Sequence, residues 1–201
     1  GAACRRGGRS PNDIRIVAVT KGHPVEAVEA ARAAGLTDIG ENRVPEALAK
    51  AERAGPGLAW HLIGHLQTNK VRKALPLFAL LHSLDRPGLA EALEAEAARS
   101  GRRVRCFLQV NVSGELSKGG VTPAEAEPFL RKVLSGGRIE PVGLMTMAPL
   151  GDDPEASRPV FRALRELRDA LVRAVPGAQG LPALAMGMRQ DYALAVEAGA
   201  T

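Results

Sequence analysis

The sequence predicts an α/β fold, a (β/α)8 barrel with its strands parallel in one sheet. Three observations carry this. Short apolar runs recur along the 201 residues at spacings of roughly 20 to 35, and each is followed by a helical pattern. The runs are too short for helices and show little polar alternation, as strands buried on both faces do. Polar residues and glycines collect at the C-terminal end of each run, which in such folds is the ligand face. Seven strands are counted, so an eighth is expected beyond Thr201, because a barrel without its last strand leaves two unpaired edges. The chain starts at Gly1 and both ends read as cut, so residues 1–201 are expected to be a single barrel domain truncated at both ends. The alternative is an open doubly wound sheet, which needs a strand-order reversal that sequence does not reveal.

The first strand lies in Ile14–Lys21, with the β-branched run Ile16–Val19 expected to be buried on both faces. Gly22-His23-Pro24 breaks it, and Pro24 opens a helix over Val25–Ala34 closed by Gly35. Strand two is Leu36–Gly40, ending in Glu41-Asn42-Arg43, and Pro45 leads a helix to about Ala54. Leu58–Ile63 is strand three, after which Thr68 caps a short helix through Lys73. Phe78–Leu84 is strand four, ending in Asp85-Arg86, a structural ion pair or helix cap, and Pro87–Arg99 is a helix. Val104–Val112 is strand five, and the loop Ser113–Gly120 is polar and glycine-rich. Thr122-Pro123-Ala124-Glu125 is a capping-box start to a helix through Leu134. Ile139–Met147 is strand six, Asp153-Pro154 caps the longest helix, which reaches about Val175, Leu181–Met186 is strand seven, and Asp191–Ala198 is the last helix.

Composition bounds the function. Hydrophobic residues are 45% and charged residues 24%, ordinary for a globular protein, while aromatics are only 3%. No apolar stretch approaches a membrane span and no signal peptide is visible, so no membrane role is expected. Cys4 and Cys106 are far apart, which suits a reduced, cytoplasmic compartment, and no zinc spacing exists. The net charge is +5, but the arginines are scattered among glutamates on helices. Arg5, Arg6 and Arg9 form the one tight basic run, in a Gly-rich start that reads as a frayed tail. With no nucleic-acid motif and few aromatics to stack on bases, nucleic-acid binding is not expected.

On the barrel reading, the upper rim gathers Lys21, Glu41-Asn42-Arg43, His61–Asn69, His82–Arg86, Asn111, Met145–Met147 and Ala185–Met188. A lysine at a buried strand exit is desolvated, which disfavours its ammonium form and makes its amine a usable nucleophile for imine formation. The competing reading is a lysine that reaches out to pair with a carboxylate. Asn42 and Asn111 either hydrogen-bond their own loops or face a ligand. His61 and His82 read more readily as filling polar pockets than as acid or base. Met145, Met147, Met186 and Met188 cluster at strand ends, as a flat apolar ligand would want, or serve as core filler. No metal cluster is expected, because His61 and His65 lie across a glycine-containing turn.

Several segments carry a resemblance: VAVTK at Val17–Lys21, GENRVPE at Gly40–Glu46, WHLIGHLQTNK at Trp60–Lys70, HSLDR at His82–Arg86, and QVNVSGELSKGG at Gln109–Gly120. GLMTMAP at Gly143–Pro149, MGM at Met186–Met188 and EAGAT at Glu197–Thr201 complete them. Together they resemble the pyridoxal phosphate homeostasis proteins, also called the proline synthase co-transcribed family, over nearly the whole chain. The resemblance implies an alanine-racemase-like barrel that holds pyridoxal 5′-phosphate (PLP) as an imine. It implies that Lys21 is the imine lysine, that Asn42 lies close to the cofactor, and that Met186, Gly187 and Met188 belong to the phosphate-binding segment. The family acts as a PLP carrier or buffer with no settled catalytic reaction, so the expectation is a monomeric, non-enzymatic PLP binder that serves PLP-dependent apoenzymes. A racemase is the alternative, but Tyr192 is the sole tyrosine and no partner base is apparent. Ala185 stands where the family usually has serine, and an Arg-Ile-Gly-Thr segment and most of the first helix are absent, so weakened phosphate retention is expected.

Overall fold

The apolar runs pair in strict chain order. β1 (Ala18–Val19), β2 (Asp38–Glu41), β3 (Ala59–Leu62), β4 (Phe78–Leu84), β5 (Val104–Gln109), β6 (Ile139–Met145) and β7 (Ala183–Ala185) form one sheet, each neighbouring pair parallel. This computed structural model describes residues 1–115, 117–149, 151 and 153–201. Residue 116 of the expected loop Ser113–Gly120 thus lies outside the described residues. The strand order never reverses, which excludes the doubly wound alternative. Right-handed crossovers in an unreversed order place the helices on one face of the sheet, and the sheet curls into a seven-stranded half-barrel.

The helices are α1 (Ala2–Arg6), α2 (Val25–Ala33), α3 (Val44–Ala54), α4 (Val71–Ala74), α5 (Pro87–Ser100), α6 (Ala126–Gly136), α7 (Ser157–Ala174) and α8 (Tyr192–Ala198). Between them and the sheet lies the main core. Val28, Ala47, Leu93, Leu130 and Leu164 from the helices meet Ile39, Leu62, Leu108, Leu144 and Leu184 from the strands, all fully buried. Each such leucine stabilises the fold by about 1.5–3 kcal/mol through burial alone. Strand alternation separates this layer from a smaller inner one: Cys106 and Leu108 join the helix-facing core, while Phe107 between them joins Leu80, Val142 and Met145 inside the curl.

Several expectations need correction. Ile16–Val19 is not buried on both faces: Ile16 is 60% and Val19 48% exposed, and only two residues pair. Among the described residues β1 stands at the end of the sheet and pairs with β2 alone, and β-branched composition marks a strand without telling how many neighbours it has. The start of the chain is no frayed tail either. α1 buries Cys4, Arg6 binds Glu197 of α8 at 2.6 Å, and Arg9 donates to the Ala200 carbonyl. Strand five ends at Gln109, not Val112, and strand six at Met145, not Met147. There the Thr146 hydroxyl donates to the Val110 carbonyl at 2.8 Å, so a side chain takes the place of a further ladder bond. Thr68 lies inside a 3-10 turn instead of capping it. The capping box at Thr122 is as read: the Thr122 hydroxyl accepts from Glu125 N–H at 3.3 Å, and the Glu125 carboxylate accepts from Thr122 N–H at 2.8 Å.

Candidate functional site

The C-terminal rim carries two clusters, one at each end of the sheet. At the β1–β2 end, Thr20 is buried, while Lys21 and Gly22 turn outward and are exposed, with Gly22 at φ +72°. The desolvated lysine expected from sequence is thus not what residues 1–201 present: among the described residues β1 below it pairs with β2, and no second strand covers its other side. Beneath this turn sits an ionic knot. Lys50 Nζ donates to the Thr20 carbonyl at 2.8 Å, to Glu41 Oε1 at 2.6 Å and to Glu46 Oε1 at 2.8 Å. The Thr20 hydroxyl donates to Glu41 Oε1 at 2.5 Å, and Gly22 N–H donates to Glu46 Oε1 at 2.9 Å. Burial pushes the Lys50 ammonium down, but its bonds to Glu41 and Glu46 outweigh this and hold it above its ordinary value. The hydrogen bond from Lys50, then that from Gly22, holds the Glu46 carboxyl below the usual range. Asn42 follows β2 and is half-buried. A Cβ on Gly64 would lie 2.5 Å from the Asn42 carbonyl oxygen, so glycine there lets the β3 exit pack directly on the Asn42 backbone.

At the β6–β7 end, Met145 is buried and in register with Ala185, and Met186 and Gly187 are half-buried while Met188 is 47% exposed. Gly187 has φ +88°, and a Cβ there would stand 2.5 Å from the Ala195 Cβ of α8. Both facts require glycine. Asp191, buried, accepts Met188 N–H on Oδ1 at 2.5 Å and the Ser157 hydroxyl on Oδ2 at 2.9 Å. Among the described residues the Gly187 N–H has no partner.

Between the clusters, inside the curl, runs a buried polar chain. His61 Nε2–H donates to Asp38 Oδ1 at 2.8 Å, since a carboxylate only accepts; His61 Nδ1 then accepts from His82 Nε2–H at 2.9 Å. Burial lowers both imidazoles: His61 falls below its ordinary value despite Asp38, and His82 falls to about 3, helped by His61. These histidines fill a polar pocket, as read. At the rim above, His65 donates to Asp85 at 3.1 Å, and Arg86 pairs with Asp85 at 2.6 Å, the structural ion pair expected there. Asn111 serves its own loop, donating to the Glu115 and Lys118 carbonyls and accepting from Gly114 N–H.

The model of the alanine racemase N-terminal domain family matches residues 6–186. A pyridoxal phosphate homeostasis protein of Aquifex aeolicus is 42% identical over 200 residues, which span 99% of this chain and 87% of that protein. The chain belongs to the pyridoxal phosphate homeostasis protein family. PipY of Synechococcus elongatus PCC7942, solved with PLP bound, superposes with a TM-score of 0.87 at 36% identity, covering 99% of this chain and 95% of that one. Alanine racemase of Clostridium difficile 630 superposes over 92% of this chain and 49% of its own with a TM-score of 0.75; at 16% identity it shares the fold alone.

Within this homeostasis-family frame, the structure gathers Met145 with Met186–Met188 in one sector and Lys21 with Asn42 in the other; among the described residues no strand pairing joins the two. Sequence reasoning placed Glu41 at the rim without its partner, and missed Thr20, Lys50 and Asp191. The signal for the knot was present in part: Glu46 and Lys50 stand at i, i+4 on a helix, one turn apart.

Proposed function

We propose that this chain holds PLP reversibly at Lys21, stores it, and passes it to PLP-dependent apoenzymes without catalysing a reaction of its own. The observation that carries the reading is Lys21 itself, an exposed amine at the C-terminal end of β1, on the ligand face of a barrel-type sheet. Family membership and the PLP-bound relative support it.

The residues fit the cofactor in kind. When bound, PLP supplies an aldehyde that condenses reversibly with a primary amine. Lys21 provides that amine, and Asn42 beside it provides an amide for polar contact. Met145 and Met186 provide apolar surface for a flat ring. The Gly187 N–H is an open donor for a phosphate oxygen, and the missing Cβ lets the loop that carries it seat against α8. Met188 N–H is already engaged by Asp191. Ala185 adds no hydroxyl, which points to weaker phosphate retention. A carrier needs no second base, and Tyr192, exposed on α8, is not held toward the Lys21 turn by any hydrogen bond among the described residues. We place the protein in the cytoplasm as a monomeric single domain; its buried free cysteines Cys4 and Cys106 suit a reducing compartment.

Borohydride reduction with PLP, followed by peptide mapping, tests this. The expected result is one pyridoxyl adduct on Lys21, absent in Lys21→Ala. An unmodified Lys21, or full PLP absorbance retained by the mutant, overturns the assignment.

A further inference from the structure

We propose that Glu41, Lys50 and Glu46 form a positioning clamp that fixes the backbone on both sides of Lys21 and so sets how readily its amine captures an aldehyde. The inference rests on the PLP reading of Lys21. Three of the five bonds in the knot end on the two residues that flank Lys21. The Thr20 carbonyl receives Lys50 at 2.8 Å, the Thr20 hydroxyl is held by Glu41 at 2.5 Å, and Gly22 N–H is held by Glu46 at 2.9 Å. The remaining two bonds tie Lys50 to both acids. The end of β2, the first turns of α3 and the Lys21 turn thereby become one unit.

Burial sharpens the point. Thr20, Glu41 and Lys50 are 4%, 0% and 6% exposed, whereas Lys21 above them faces solvent. A buried ion pair adds little stability over an apolar pair of the same shape, so stability alone gives no reason to place one here. The knot also leaves Glu41 Oε2 buried without a partner among the described residues. A group kept at that penalty calls for a reason, and the bonds to Thr20 and Gly22 supply one. Gly22 at φ +72° lets the chain turn sharply after Lys21, and the clamp holds that turn closed. The amine then presents itself from a fixed backbone instead of a mobile edge, which is the entropic part of capture.

The test measures the rate of adduct formation with PLP by stopped-flow absorbance, with the site mapped after borohydride reduction. It uses the full chain and three variants: Glu46→Ala, Glu46→Gln, and the paired Glu41→Gln/Lys50→Met, which removes buried charge without leaving one ion unpaired. Expected are a slowing of at least fivefold in Glu46→Ala, recovery of most of the rate in Glu46→Gln, which keeps an acceptor for Gly22, and a slowing of at least tenfold in the paired variant. Rates within twofold of wild type in both Glu46→Ala and the paired variant overturn the clamp, as does Glu46→Gln reacting as slowly as Glu46→Ala. If the paired variant does not fold, the two Glu46 variants decide, because Glu46 is only half-buried. An unmodified Lys21 in the wild-type chain is a different failure, that of the PLP reading; an adduct on Lys21 with unaffected variants removes the clamp alone.

Discussion

The two loops at opposite ends of the sheet are held by different physics. The Lys21 turn is pinned by charge: one ammonium and two carboxylates, each bond directional and separately removable. The Met186–Met188 loop is pinned mainly by space, with Gly187 pressed so close to α8 that no side chain fits, and Asp191 adds a single carboxylate. A charge clamp loses its grip one bond at a time, so its failure is graded. A steric seat fails at once. The end that carries Lys21 is thus the adjustable one, and the end that carries Met186–Met188 is rigid.

Gly187→Ala breaks the steric side most sharply. Strain at positive φ and the contact with Ala195 together destabilise the fold by about 2–4 kcal/mol, read as a lower midpoint in urea with little change in slope. An unchanged midpoint would mean that the loop moves freely off α8. The strip between the loops comes next. His82 and His61 have depressed values in the fold, so below the ordinary imidazole value of about 6.5 the unfolded chain binds protons that the folded one refuses. Stability contributed here is full above that pH and falls as pH drops toward about 3, by at most about 1.4 kcal/mol per pH unit for each imidazole. Urea unfolding at pH 7 and pH 5 should differ by about 2 kcal/mol for His82 alone, and His82→Leu should flatten the dependence. Asp191→Asn is the mildest: it keeps an acceptor for Met188 N–H but weakens it, at about 1 kcal/mol. It should speed PLP release more than it slows capture. The reverse ratio would assign Asp191 to the amine side.

Much of this was legible before any coordinates. The strand count, the helix stop at Gly35 and the capping box at Thr122–Glu125 follow from local chemistry, and local chemistry survives folding. That Lys21, Asn42 and Met186–Met188 lie at strand exits was legible, because Gly and Pro breaks mark where each apolar run ends. The exposure of Ile16 and Val19 was not, because whether a strand is an edge depends on neighbours, not on its own residues. The His61–His82 contact was hidden for a related reason: it depends on two strands whose register is interrupted between Trp60 and His61. The Glu41–Lys50 contact joins a strand end to the second turn of the next helix, a span no periodicity reports.

The bond from Arg6 to Glu197 joins residues 191 positions apart. Ribosomes add about 5–20 residues per second, so once Arg6 has been made, roughly 10–40 s pass before its partner exists. Throughout that interval the helix that carries Cys4 lacks α8, the element it packs against in the fold. Closing α1 onto α8 therefore waits until α8 has been made.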